Sequence, residues 1–143
     1  MPQAARSSGN YVEIMPSATK TADGNQGTTI WVPPRNIRAI VFIADITAAA
    51  TVAADTLDLY IQTQLNGVDW LDVVHFTQLA GDGGAKQFIA KIVSDAAEAD
   101  FEVGSALGAS AVRNLLGDAY RVRWDVTVDG TLSYTFSVIA APM

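Results

Sequence analysis

The sequence predicts an all-β protein, an antiparallel β-sandwich or jelly-roll-like barrel with an extended N-terminal arm. Three observations carry that expectation. In residues 57–65 Leu57, Leu59, Ile61, Thr63 and Leu65 share one parity, and Asp58, Tyr60, Gln62 and Gln64 the other. A period of two is the pattern of a strand with one face in a core. Residues 118–128 and 131–139 alternate in the same way, with Tyr120, Val122, Trp124, Val126 and Val128, then Leu132, Tyr134, Phe136 and Val138, on the inward side. Finally, Asn66-Gly67 and Asp129-Gly130 stand between adjacent runs, and such pairs tolerate the positive φ of a tight hairpin turn.

A chain of 143 residues suits a single domain, here residues 28–143 preceded by an arm over 1–27. At this length a core forms without help from disulfides or metal. Half the residues are apolar and 17% are charged, which excludes wholesale disorder and fits either a surface partly covered by other protein or an ordinary monomer with much Ala and Gly. Acidic residues outnumber basic ones, 15 to 9, and the basic residues are scattered. A phosphate backbone needs clustered Lys and Arg, so neither nucleic acid nor a membrane is expected as a partner. The chain has no cysteine, hence no disulfide framework, thiol nucleophile or Cys-bound zinc. The N-terminus lacks the apolar core of a signal peptide, and no run reaches membrane-spanning length.

Residues 1–27 are rich in Ser, Thr, Gly, Ala and Gln, with a turn-forming cluster over 21–27. Tyr11 to Met15 is the one segment there with strand character. It reads either as part of a mobile tail or as an arm that orders by adding to a neighbour's sheet edge. Thr28 to Val32 is β-branched and aromatic and reads as a strand, stopped by Pro33-Pro34, which cannot donate ladder hydrogen bonds. Ile37 to Thr47 is the strongest apolar strand: Ile37, Val41 and Ile43 share one parity, Ile40, Phe42 and Ile46 the other. A strand apolar on both sides lies centrally in a sheet or has its outer face covered by another subunit. Residues 48–55 form a loop or a poor helix, and Val68 to Phe76 returns as the second arm of the central hairpin. Gly81 to Gly84 is a turn before a strand over 85–93. Residues 94–117 lack a period of two and are long for a connection, with two helical turns expected over 109–116. Contacts with a partner are expected in this connection, at Phe101, Val103 and Leu107, and at Tyr11, Val12, Ile14 and Trp31.

No catalytic signature stands out, and no enzyme activity is expected. The single histidine, His75, has no serine elbow or second histidine beside it, so a cross-strand structural position is the better reading. The pairs Asp69/Asp72 and Asp55/Asp58 have the residue type of glycosidase carboxylates, but spacing along a strand does not make a cleft. Asp23, Asn25, Asp82 and Asp95 are loop oxygens without a calcium-loop pattern, and GDGG lacks the rest of a phosphate loop. No cofactor or metal is expected. Trp124 alternates with valines and belongs to a core. Trp31, Trp70, Tyr60 and Tyr134 read as core or interface residues, with a sugar-stacking platform at Trp70 and Tyr60 as the rival.

A resemblance adds a sharper expectation. Asp45-Ile46-Thr47-Ala48, then Gln62-Thr63, Asn66-Gly67 and Trp70, then Arg121-Val122 with Trp124, and last Thr135 to Val138 follow in an order that resembles small structural proteins of tailed bacteriophages. The likeness spans most of residues 18–139 and rests on turn and core positions. It implies a decoration (cement) protein on the virion capsid surface, made in the host bacterial cytoplasm. The implied partners are the major capsid protein and further copies of the same chain, as a trimer or other homo-oligomer. A neck or tail protein of the virion, or a carbohydrate-binding β-sandwich module, are the alternatives. The family implies no catalytic residues.

Overall fold

The computed structural model describes residues 11–127 and 133–143. All regular structure among them is β: β1 (Val12–Lys20), β2 (Gly24–Asn25), β3 (Ala39–Ala48), β4 (Thr56–Gln64), β5 (Trp70–His75), β6 (Leu79–Ala80), β7 (Lys86–Val93), β8 (Ala111–Val112), β9 (Ala119–Thr127) and β10 (Tyr134–Pro142). They form two antiparallel sheets, one in the order β1-β10-β3-β7, the other β2-β9-β4-β5-β8 with β6 beside β4. The sheets pack as a β-sandwich.

Alternation puts the core where the sequence expects it. Ile40, Phe42, Ala44 and Ile46 of β3 and Phe136, Val138 and Ala140 of β10 meet Leu57, Leu59 and Ile61 of β4 and Tyr120, Val122 and Trp124 of β9. Aromatic rings tie the layers together: Phe42 lies 5.7 Å from Tyr120 and Trp124 lies 6.0 Å, edge-on, from Phe136. Such pairs add about 0.5–1.5 kcal/mol beyond the area they bury.

Four local expectations are corrected. First, the segment treated as an arm is part of the sandwich over residues 12–27. β1 pairs along β10 from Val12↔Ala140 to Lys20↔Tyr134 and buries Ile14 and Met15. β2 pairs with β9, Gln26 N donates to Val122 O, and the Asp23 carboxylate accepts from Val126 N at 2.7 Å. Gly24 permits this approach, since a Cβ there would fall 2.9 Å from the Trp124 ring. Two bulges in β1, around residues 13–15 and 15–18, break the period of two and hid this nine-residue strand from a periodicity reading.

Second, Thr28–Val32 is not a strand. Thr29 N donates back to Gln26 O in a turn with Gly27 at φ 60°, leaving Trp31 alone to bridge to Tyr120. Third, residues 109–116 are not helical. Ser110 turns the backbone at φ 63°, and Ala111-Val112 pair with His75 and Val74, supplying partners to the edge of β5. Fourth, Asn66-Gly67 does not make a two-residue turn. β4 and β5 pair from Gln64↔Trp70, so the loop spans 65–69 and Leu65, expected inward, is exposed. Only Gly67 has positive φ, 76°. The Asn66 side chain closes the loop, its Oδ1 accepting from Val68 N and Asp69 N at 2.9 and 2.8 Å. The expected turn at Asp129-Gly130 lies outside the described residues.

Deletion of residues 1–27 is expected to abolish the cooperative thermal melt, because it strips β1 from β10 and β2 from β9. A truncated chain that melts within a few degrees of the full one would contradict this assignment. A second test uses Tyr134, fully buried. Burial first, then the charges of Asp55, Asp58 and Asp82, push its phenol up to about 12, above the roughly 10 of an exposed tyrosine. The neutral phenol is the form the fold favours. Its contribution is therefore complete below pH 10 and lost as pH rises from there towards 12. Tyr134→Phe is expected to flatten that alkaline decline in denaturant titrations at successive pH values.

Candidate interaction surfaces

The outer face of the six-stranded sheet is a ladder of polar and aromatic side chains set by strand register. Tyr60 stands opposite Arg123, and Gln62 opposite Arg121, across β4 and β9. On the other side of β4, Gln62 faces Asp72 and Tyr60 faces His75. The bulge at Val73 lets Asp72 and His75 both point outward while Val73 and Val74 are buried. Arg121 lies 4.3 Å over the Trp70 ring and donates from Nε to Gln62 Oε1 at 2.8 Å. Gln62 in turn donates to Asp72. Arg123 covers Tyr60 at 3.7 Å and donates to both Asp125 oxygens and to Asp72.

Charge follows this layout. Burial alone would lower the Arg123 pKa, but the carboxylates of Asp72 and Asp125 outweigh it and raise the value. Among the described residues Arg121 has no carboxylate partner, and burial followed by repulsion from Arg123 lowers its pKa. The motif residues Gln62, Trp70 and Arg121 thus converge into one bonded unit. Within it Gln62 Nε2 and Oε1 and Arg121 Nε and Nη1 have partners in the chain.

Residues 94–110 are clipped onto one side of this face. Arg113 is buried at 8% exposure and donates to Asp72 O, Ser105 O and Oγ and Ala106 O, while its guanidinium lies 4.1 Å from the Phe101 ring. His75 makes a second clip: Nδ1 is 2.7 Å from Leu107 O and Nε2 is 2.7 Å from Asp58 Oδ1, with the ring stacked on Tyr60 at 4.0 Å. His75 therefore occupies the cross-strand position expected of it. Trp70, Gln62, Asp72, Arg113, Arg123 and Ser105 line a cleft of about 330 Å³ between sheet and loop. Among the described residues, no group of three or more His, Asp or Glu side chains is arranged to hold a metal ion.

The four-stranded sheet presents the opposite chemistry. Its outer face has Ile139, Ile43 and Ile89 side by side on β10, β3 and β7, with Ala141 and Val41 in the next row beside Lys91. Ile89 is 68% exposed and Val41, Ile43, Ile139 and Ala141 are half-buried. Glu13 and Asp45 border the patch. A groove of about 270 Å³ continues it around β7, between Ile89, Phe88 and Ala90 and the Ala111-Val112 strand.

The residues nominated from the sequence for partner contact do not converge. Ile14 is in the core, and Trp31, half-buried, packs on Tyr120 at 5.7 Å. Phe101 lies under Arg113 and Leu107 is tied to His75, so both hold the loop down. Tyr11, Val12 and Val103 are exposed but lie on β1's end and on the loop. The Ile43 surface was missed as a whole. Apolar residues of both parities over 37–47 hinted at it, but bringing Ile89 and Ile139 beside Ile43 needs the sheet order.

Replacing Arg113 with Ala is expected to cost about 2–3 kcal/mol, since three carbonyls and a hydroxyl lose a charged donor in a buried place. Hydrogen exchange should rise over 101–107 and not in β3 or β10. Lys at this position is expected not to rescue, because it cannot reproduce the planar fork of donors. Unchanged exchange in the loop of the Ala variant would show that Arg113 is not its anchor.

No protein-family model matches this chain, and no curated protein sequence matches it either.

Proposed function

We propose that this chain is a structural protein of a virus particle, a decoration protein that seats on a tailed-phage head and braces its lattice. The observation that carries the reading is strand order. β6 and β8 are two-residue strands within connections; β2 is as short but extends the edge of β9 with further bonds from Gln26 N and to Asp23, and numbering it with the other seven consecutively turns the two sheets into 1-8-3-6 and 2-7-4-5. That interleaving is what four nested antiparallel ribbons, 1 with 8, 2 with 7, 3 with 6 and 4 with 5, leave after rolling up. We therefore infer a jelly roll, an architecture that hosts viral capsid and lectin domains.

Architecture is analogy and does not assign a role by itself, so the surface must supply the rest. The solvent-facing row Ile139–Ile43–Ile89 suits a dry contact with protein: it is apolar and bordered by charge. The motif order that resembles phage structural proteins supplies the particular class, with the capsid subunit and further copies of the chain as partners. Repetition of a modest contact over a lattice adds avidity, and a protein that binds only the assembled shell stabilises it by mass action.

The test is occupancy on purified particles. The wild-type chain is expected near one copy per capsid subunit, or a simple fraction of it. A double variant, Ile43→Asp with Ile89→Asp, should keep its melt, since both side chains point outward, and lose at least about tenfold in affinity for the particle, about 1.4 kcal/mol, read as lower occupancy at subsaturating concentration. Wild-type occupancy by the double variant overturns the assignment of the face. Absence of the wild-type chain from particles overturns the function.

A further inference from the structure

We infer that Asn66 is a site of spontaneous covalent modification in the folded protein, a deamidation that opens the β4–β5 loop as the protein ages. The structure assembles the parts of that reaction in five residues. Asn66 and Gly67 are both exposed, and Gly67, at φ 76°, has open space where a side chain would stand. The backbone nitrogen of Gly67 follows directly on Asn66, with no side chain at residue 67 to crowd its approach to the Asn66 amide. The Asn66 Oδ1 accepts from Val68 N at 2.9 Å and from Asp69 N at 2.8 Å. Two backbone donors at that range are the arrangement that stabilises negative charge developing on a carbonyl oxygen under attack.

The step balances with water alone. Gly67 N, giving up its proton, bonds to Asn66 Cγ, and charge collects on Oδ1 under the two amide donors. The Cγ–Nδ2 bond then breaks, Nδ2 takes up the proton and leaves as ammonia, and a five-membered imide remains. Water opens the ring at either carbonyl, giving aspartate or isoaspartate at position 66.

The consequence also follows from the geometry. Asn66 Nδ2 donates to Asp69 Oδ2 at 2.7 Å, the one closing contact of this side chain that a carboxylate, which keeps both acceptor bonds, is unable to make. Exchanging that amide for a carboxylate replaces a donor by a like charge facing Asp69. The loop carries Leu65 and Val68, the latter 74% exposed, so its opening rearranges an apolar tip at one end of the sandwich.

The full-length protein is incubated at neutral pH, folded and in denaturant, and sampled over weeks. Peptide mass spectrometry and release of ammonia report conversion, and an isoaspartyl methyltransferase reports the isoaspartate share. Conversion at Asn66 in the folded chain, with isoaspartate present, is expected, together with loss of hydrogen-exchange protection in residues 65–71 of the aged protein. Asn66→Asp should reproduce that loss from the start. An intact Asn66 in the folded chain when half of the denatured chain has converted overturns the site. Full protection of residues 65–71 in Asn66→Asp overturns the loop opening.

Discussion

The unbroken register between β4 and β9 is the constraint on which the rest of this structure depends. Pairing runs from Thr56↔Thr127 to Gln64↔Ala119 without a bulge. One set of partners, Leu57↔Val126, Leu59↔Trp124 and Ile61↔Val122, fills the core; the alternate set, Asp58↔Asp125, Tyr60↔Arg123 and Gln62↔Arg121, builds the outer ladder. A slip by one residue would put arginine inward and valine outward along the whole sheet. Burial on one face therefore fixes charge pairing on the other. Thr63 adds a peg at the end of the register, its hydroxyl donating to Ala119 O at 2.9 Å in a buried place.

The two outer faces answer different needs. That of the six-stranded sheet is polar but internally paired: each guanidinium is laid over an aromatic ring and bonded to a neighbouring carboxylate, amide or carbonyl. Such stacking suits arginine, whose planar cation keeps its in-plane donors while covering a ring. The face of the four-stranded sheet has aliphatic side chains from three strands and little polar function at its centre. A molecule with one face of paired polar groups and one apolar face has a natural orientation on a larger surface, and that asymmetry underlies the proposed role in an assembled shell.

The long connection between β7 and β9 shows how a segment without periodicity becomes ordered. It contributes only the two residues of β8 to a sheet. Its order comes from side chains: Arg113 gathers the carbonyls of residues 105 and 106, His75 holds Leu107, and Asn114 Oδ1 accepts from Val93 N at the end of β7. The bonds of His75 and Asn114 span 32 and 21 residues, and Arg113, which reaches back only seven or eight residues to the loop, is itself tied to the sheet through Asp72 O, 41 residues away.

Much of the sandwich was legible in the sequence because alternation is a local consequence of strand geometry. Leu57, Leu59, Ile61, Tyr120, Val122, Trp124, Val126, Phe136 and Val138 are inward as their spacing requires, and of the two readings open for the two-faced apolar pattern of residues 37–47, a central strand or a covered outer face, the sheet order matches the first. Where bulges interrupt the period the reading failed, as in β1, where Ile14 and Met15 are both buried. It failed again at Asn66-Gly67, whose turn type is set by where β4 stops pairing with β5 and not by the dipeptide. The sequence by itself determined which residues prefer a core and which a turn, because those preferences reside in single side chains and their near neighbours. Only the tertiary structure decided that the N-terminal segment closes on β10 and β9 and that Ile43, Ile89 and Ile139 form one surface. Those outcomes depend on pairing across roughly fifty to more than a hundred residues, where the cost of closing the chain is repaid by burial that no short stretch can foresee.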